Sequence, residues 1–379
     1  GETPEVLSIT QPQLLVGIHE KYLRAGADVI YANTFGANRY KLEECGKSVD
    51  EIVKASIKNA KQACENVNPQ ALVALDVGPI GQLLEPTGTL SFEEAYDMYR
   101  EIVEAGSAAG ADLVVFETMT DLLECKAAVL AAKEHSDLPV AVTMTFEINQ
   151  RTFTGCCIES MALTLSGLGV DALGVNCSLG PAELEPVVAK LSEWTNLPII
   201  VKPNAGLPDP VTNEYNVSPE EFAQMMKNLR KYGIKVFGGC CGTTPDHIHA
   251  MVELTKDIPV QLPEKKHRTV ISSYSQAVVF DKKTIIIGER INPTGKSKFK
   301  QALRDHDLEY ILREGVTQQD NGADVLDVNV GLPEIDEPSM MEDVVKELQA
   351  VIDLPLQLDT SSAEAMERGL RVYNGKPLI

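Results

Sequence analysis

The 379-residue sequence predicts an α/β protein: a (β/α)8 barrel lacking its first strand, followed by the first half of a second (β/α)8 barrel. Three observations carry that expectation. Seven short apolar segments recur, each ending in a polar tail. Helical patterns lie between them. After one interruption, at 262–283, the same rhythm starts again. Near-continuous Val, Ile, Leu and Ala is what a strand looks like when both faces are covered, and strands alternating with helices make a parallel sheet.

Taken in order, the chain opens on a helix, "QPQLLVGIHEKYLRAGA", so the missing strand is expected to precede residue 1. Strands are expected at "ADVIYANTF" from Ala27, "ALVALDVGP" from Ala71, "ADLVVFETM" from Ala111 and "LPVAVTMTF" from Leu138. "ALGVNCSLG" from Ala172, "LPIIVKPNAG" from Leu197 and "IKVFGGCC" from Ile234 complete the seven. Val53, Ile57, Ala60 and Cys64 fall at spacings of four, three and four, which makes one apolar helical stripe. "FEEAYDMYREIVEAGSAAGA" carries another helix, with Ser91 as its N-cap. Residues 262–283, "LPEKKHRTVISSYSQAVVFDKK", are charged and polar with one short apolar run. They read as a linker, with proteolytic cuts expected near Lys265–Arg268. The rhythm resumes with "TIIIGERIN" from Thr284, "VLDVNVG" from Val325, "LPLQLDT" from Leu354 and "KPLI" from Lys376. The expected units are therefore 1–262, 263–283 and 284–379. The chain does not begin with Met and closes on an apolar run, so both ends read as cut.

A formal charge of −21 argues against nucleic acid or an anionic membrane as partner. The start, "GETPEVLSIT", lacks the basic-then-apolar pattern of a signal peptide, and no run of 18 apolar residues exists to span a membrane. A cytoplasmic location is expected. Thiols stay reduced there, so eight cysteines point to metal or catalysis before disulfides.

In a barrel the chemistry gathers where strands end. Here the tails offer Asn33, Asp76, Glu117, Thr145, Cys177, Asn204, Cys240 and Cys241. They read as one converging rim, unless individual members only cap helices or satisfy loop amides. The stretch "VFGGCCGTTP" is the most informative. Neighbours on a strand point to opposite faces, so Cys240 and Cys241 can reach one metal only where the chain turns. Glycines 238, 239 and 242 permit such a turn. Cys177 ends a strand two units earlier and shares the rim. Three thiolates suit Zn2+ and leave a position open, as catalytic zinc sites do. The competing reading is three small cysteines packed beside glycine. Cys45, Cys64 and Cys125 read as core. Cys156 and Cys157 form a rival pair, but in a loop about ten residues past a strand tail. The six histidines show no ligand spacing, and His247 and His249 open a helix. An open, soft thiolate site suits a substrate thiol, whose thiolate is the reactive form. The chemistry implied is alkyl transfer to sulfur.

"GVNCSLGP", "KPNAGLP" and "VFGGCCGTTPDHI", with "ANTFGANRYKL" and "LDVGPIG", resemble the homocysteine S-methyltransferase domain, a zinc barrel, over roughly residues 1–262. The resemblance implies that Cys177, Cys240 and Cys241 hold Zn2+ and activate the homocysteine thiol. It also implies that Glu117, in "VFETMTD", meets the homocysteine amino group. Asn33 and Asp76, on the same rim, are further candidate substrate contacts. The family's first strand, with an Asp-Gly-Ala-x-Gly element, is absent, so part of the amino-acid pocket is expected to be missing.

Residues 284–379 resemble a pterin-binding barrel through "GERINPTG", "GADVLDVNVG" and "QLDTS". That resemblance implies that Asn292, Asp327, Asn329 and Asp359 face the pterin ring. With about half a barrel, the segment is not expected to bind methyltetrahydrofolate by itself. The pairing of domains is similar to that of the cobalamin-dependent methionine synthase family. It implies that a methyl group passes from 5-methyltetrahydrofolate through cobalamin, bound by a domain outside this sequence, to zinc-activated homocysteine. Two other readings stand beside it. One is a homocysteine methyltransferase supplied by a small onium donor such as betaine, against which the pterin-like segment counts. The other is a non-catalytic zinc- or thiol-binding module, which alkylation of homocysteine would separate from either enzyme.

Overall fold

Short β-branched runs set between amphipathic helices can bury both faces only in a parallel sheet wrapped by those helices. The computed structural model describes residues 3–259, 265–281 and 283–379, and the arrangement occurs in it twice. The unit boundary expected at 262/263, and the first two residues, lie outside the described residues.

The first sheet has seven strands: β1 (Val29–Tyr31), β2 (Leu72–Val77), β3 (Leu113–Met119), β4 (Val140–Met144), β5 (Ala172–Asn176), β6 (Ile199–Lys202) and β7 (Ile234–Phe237). Each pairs in parallel with the next, so sheet order follows chain order, as in a (β/α)8 barrel. The intervening helices bury the stripes read from the sequence. Val53, Ile57, Ala60 and Cys64 are all buried, and Ser48 and Ser91 both close capping boxes at their helix starts. No helix among the described residues is long and apolar enough to cross a membrane.

The strands build the barrel interior in layers. Ala74, Val115, Ala141 and Ile200 form a small apolar cluster, flanked by Val29 and Ala172. Side chains two residues further along a strand stand on the same face. The next layer is therefore Tyr31, Asp76, Glu117, Thr143 and Lys202, each polar or with a polar tip, and Asn176, four residues beyond Ala172 on β5, reaches it through Thr143 (2.8 Å).

The second sheet runs β10 (Ile287–Ile291), β11 (Val325–Val328) and β12 (Leu356–Leu358), again parallel in chain order. Leu378 adds a parallel bridge to Gln357 beyond β12, where "KPLI" reads as a strand beginning. The segment read as a linker is more than a tether. It holds an antiparallel hairpin, β8 (Val270–Ser272) and β9 (Ala277–Val279), whose Val270, Ile271 and Ser272 are buried. A three-residue strand is too short to show its period in the sequence, so its pairing was not legible there. Lys266 and Arg268 are also engaged: Lys266 Nζ donates to Ser192 O (2.7 Å) and Arg268 lies over the Trp194 ring at 4.6 Å.

The hairpin touches both sheets' surroundings. Ser272 exchanges backbone hydrogen bonds with Lys376 (2.8 and 3.0 Å), and the Cys157 N–H donates to Tyr274 O (3.1 Å). Beside it, Lys126 of the helix Leu122–His135 is buried and donates to Leu370 O and to Tyr373 O (2.9 Å). It thereby caps the end of the helix Ala363–Val372, while burial and the nearby Arg371 bring its amine down to about 7. Arg371 pairs with Glu93 and stacks on Tyr96 at 4.6 Å. Lys126→Met leaves those two carbonyls without their donor. It is expected to lower the stability of residues 284–379 by about 1–3 kcal/mol, read by denaturant unfolding of that segment.

Candidate active site

Cys177 follows β5 with a left-handed backbone (φ 61°), as does Ser178 (φ 59°). Two consecutive non-glycine residues in that region are strained, and such strain clusters at functional sites. The Cys177 N–H donates to Lys202 O (3.0 Å), which fixes the turn against β6. Past β7, the Cys240 N–H donates to Pro203 O (2.8 Å) and Cys241 O accepts from the Ala205 N–H (2.9 Å). The Asn204 side chain accepts from the Cys241 N–H (3.1 Å). The turn itself uses its glycines differently. Gly242 is left-handed (φ 79°), and a Cβ there would also meet Tyr215 at 2.4 Å. Gly239 is needed for space, since its Cβ would sit 2.4 Å from the Thr243 hydroxyl.

The result is a trio. The Sγ atoms of Cys177, Cys240 and Cys241 all lie within 4.8 Å of one another, with Cys177 and Cys241 3.8 Å apart. Tetrahedral ligands at a Zn–S distance of about 2.3 Å stand about 3.8 Å from each other, so the spacing fits that ion. Partial exposure of all three leaves an approach from solvent. Without a cation the thiols compete for protons. A hydrogen bond from Cys240, opposed by burial, brings Cys177 down to about 6. Cys240 is pushed up by giving that bond and by burial. Cys241 is pushed up by burial and then by the charge on Cys177. The three sulfurs stand as soft donors that one cation could share. Cys156 and Cys157 are buried beside the hairpin, away from this trio, and Cys64 and Cys125 are core.

The polar layer lies next to the thiols. Asn176 is fully buried and saturated: it accepts from Thr143 Oγ1 (2.8 Å) and the Thr118 N–H (2.9 Å), and donates to Thr118 Oγ1 (2.8 Å). Its Nδ2 also lies 4.0 Å from Cys240 Sγ. Glu117 pairs with Lys202, the two side chains being only 13% and 9% exposed. The Lys202 ammonium also sits 4.0 Å from the Tyr31 ring centre. Burial alone would lower Lys202, but Tyr31, Glu117 and Asp76 outweigh it and hold the ammonium above the usual lysine range. Asp76 is pushed well above the usual carboxylate range by burial and then by Glu117.

Of the residues expected to bind substrate, Asp76 and Glu117 come together here. Asn33 does not join them: its Nδ2 is committed to Pro4 O (2.9 Å) and Ser8 Oγ (3.1 Å), where it ties down the chain's start. Lys202, Asn176, Thr143 and Tyr31 went unassigned in the sequence. The available signal was period two: Ala74 to Asp76, Val115 to Glu117, Ile200 to Lys202.

The loop after β2 is held from below by Glu124, which accepts from the Ile80 N–H (2.7 Å) and Tyr99 OH (2.8 Å). Burial raises Glu124 to about 7. Its folded value thus exceeds its unfolded one, so the unfolded chain loses this proton first as pH rises. The stability it contributes is full below about pH 4.5 and is lost on approaching and passing 7. Glu124→Gln is expected to flatten that decline, on the order of 3 kcal/mol, in denaturation midpoints followed from pH 4.5 to 8.

At the second sheet the expected residues also converge. Asn292 Nδ2 donates to Asp327 (3.4 Å), and Asn329 Nδ2 donates to Asp359 (3.0 Å). Gln357, not singled out in the sequence, donates to Asp327 (2.8 Å). Burial raises Asp327, with the Asp359 charge adding to it and the Asn292 hydrogen bond opposing.

With this geometry in hand, comparison with known proteins finds two family models. Homocysteine S-methyltransferase matches residues 2–255, and pterin binding enzyme matches residues 288–379. The chain is 32% identical over 395 residues to a methionine synthase of Mycobacterium leprae (strain TN). It is 30% identical over 390 residues to that of Mycobacterium tuberculosis (strain ATCC 25618 / H37Rv). Both alignments cover 99% of this chain and 33% of the relative, so the chain spans about a third of the length of these curated relatives. Among solved structures, the homocysteine methyltransferase MmuM from Escherichia coli superposes at 26% identity. Its apo form gives a TM-score of 0.55, covering 67% of this chain and 90% of that one. Its metallated form gives 0.57, covering 65% and 85%.

Proposed function

The chain belongs to the homocysteine S-methyltransferase family, and from that premise we propose that it methylates homocysteine at the Cys177–Cys240–Cys241 centre, forming methionine. The observation that carries this reading is the trio's 4.8 Å cluster at the strand ends, beside the buried Asp76 and its neighbour Glu117, which is paired with Lys202. Cys177, Cys240 and Cys241 would hold Zn2+, which when bound would supply the Lewis acidity that makes a substrate thiol ionise near neutral pH. The chain's own residues do the rest. Asn204 and Pro203 fix the backbone of the cysteine pair, and Asn176 braces the floor beneath Cys240. Glu117, Asp76 and Lys202 set the charge that meets the amino-acid end.

In the same reading, Asn292, Asp327, Asn329 and Asp359 face the pterin of 5-methyltetrahydrofolate. The methyl group would travel from it through cobalamin held by another domain of the whole enzyme, in the reducing cytoplasm. The pterin-type match at 288–379 favours this donor over a small onium compound such as betaine. The test is methionine formation by the zinc-loaded chain, given homocysteine and either methylcobalamin or betaine. Product is expected with methylcobalamin alone. Product with betaine alone would overturn the donor assignment, and no product with either would favour a binding module.

A further inference from the structure

Between β6 and the helix Pro219–Leu229 the chain folds back on itself as a strap. Pro208 and Tyr215 pair as an antiparallel bridge. Asp209 closes the tip: its carboxylate accepts from the Val211 and Thr212 N–H groups (2.8 Å each), and its own N–H donates to Glu214 O (2.9 Å). The base is pinned to the cysteine turn and to the helix behind it. The Ala205 N–H donates to Cys241 O (2.9 Å), the Val217 N–H donates to Ala205 O (3.3 Å), and Val217 O accepts from His247 Nε2 (2.9 Å).

What the strap brings to the thiols is Tyr215. Its side chain lies against Gly242, where a Cβ would stand 2.4 Å from both the Tyr215 Cβ and Cγ. From that seat its hydroxyl shares a hydrogen bond with the Cys241 side chain. Burial and then the Cys241 charge hold the phenol above its usual range, with Cys177 and Cys240 adding their charges. The hydroxyl therefore keeps its proton and directs it at sulfur. Cys241 is also the exposed member of the trio, the other two being partly buried. Beneath Cys240 Sγ stands Asn176 Nδ2 at 4.0 Å, and Cys177 receives a hydrogen bond from Cys240. Thiolates are nucleophiles, and a ligand thiolate facing solvent competes with the substrate for any alkyl group. A centre that passes methyl groups to sulfur must keep them off its own cysteines.

We infer that Tyr215 is a selectivity residue of the thiol centre: its hydroxyl, donating to Cys241 Sγ, blunts that sulfur so that the methyl group goes to the substrate instead. This rests on the methyl-transfer reading above and adds a residue to it. A hydrogen bond to a charged sulfur draws on the electron pair that would attack carbon. A phenol has one proton to give, so a substrate sulfur at the open position does not share it. The reaction avoided balances simply. A C–S bond forms at Cys241, the bond between methyl and donor breaks with its electron pair left on the donor, and no proton moves. The product is a thioether, which has lost the charge that holds a metal. Tyr215 acts through Cys241 and is therefore a positioning residue.

The experiment treats the zinc-loaded chain with methyl iodide in the absence of homocysteine and follows methylation of each cysteine by peptide mass spectrometry. Iodide leaves with the bonding pair, so no other reagent is needed. Tyr215→Phe keeps the ring on Gly242 and removes only the hydroxyl. It is expected to speed methylation of Cys241 about tenfold, the worth of one hydrogen bond to a charged group, and to leave the Cys177 and Cys240 rates unchanged. An unchanged Cys241 rate would overturn the inference. So would equal acceleration at all three cysteines, which is the mark of a strap that merely covers the site. Both of those outcomes leave the methyl-transfer reading intact. That reading is tested separately, on the same unsubstituted preparation, by methionine formation from homocysteine and methylcobalamin; its failure there would overturn both.

Discussion

Cys240→Ser is expected to take the chain from about one zinc ion to almost none, measured by elemental analysis after gel filtration. Serine keeps the size but offers no thiolate, and two cysteines cannot complete a catalytic centre that already leaves one position open. Methionine formation should vanish with the metal. Cys156→Ser should keep its zinc, because Cys156 is fully buried away from the trio. The reverse pattern would make Cys156 and Cys157 the ligands and remove the basis of the functional reading. Folding is not expected to confound the comparison, since Cys240 lies in a turn on the rim and is partly exposed.

Lys202→Met should have the second large effect, on stability as well as activity. Removing one partner of a buried ion pair leaves the other uncompensated, at a cost of about 3–5 kcal/mol. Here the loss strands Glu117 beside Asp76, so two buried carboxyls would face each other with no cation. Glu117→Gln in the same chain should return most of that stability, because the double substitution removes both charges. Denaturant unfolding of the single and double variants gives the coupling directly. Additive effects would mean that the pair is not a unit. Activity should not return in the double variant, since the amino-acid end of the pocket would have lost its charge pattern.

The fold was legible because its determinants are local. Seven apolar segments with polar tails specify parallel strands, and the stripe from Val53 to Cys64 specifies a helix without reference to anything distant. The thiol site was legible for a related reason: adjacent cysteines among glycines at a strand end are hard to explain by packing. Other parts depend on partners far along the chain. Asn33 looked like a rim residue, but its amide meets Pro4 and Ser8, and nothing in "ANTF" announces that contact. Lys202 was hidden inside "LPIIVKPNAG", where a lysine at a strand end reads as solvent-exposed. Only its partner Glu117, 85 residues earlier, makes it an interior charge. The hairpin at 270–279 escaped notice because three-residue strands carry almost no periodic signal, and its burial comes from Lys376 and Tyr373.

Lys126 and its acceptors at Leu370 and Tyr373 are 244 and 247 positions apart. During synthesis at about 5–20 residues per second, the lysine leaves the ribosome roughly 12–50 s before its partners exist. Until then that ammonium lacks its acceptors, and the Phe92 and Tyr96 rings lack Arg371, which lies over them at 5.5 and 4.6 Å. Lys126 and Glu93 keep the waiting patch charged until the helix Ala363–Val372 arrives, which disfavours its association with other apolar surface through that interval. Order of manufacture is in this sense written into the seam.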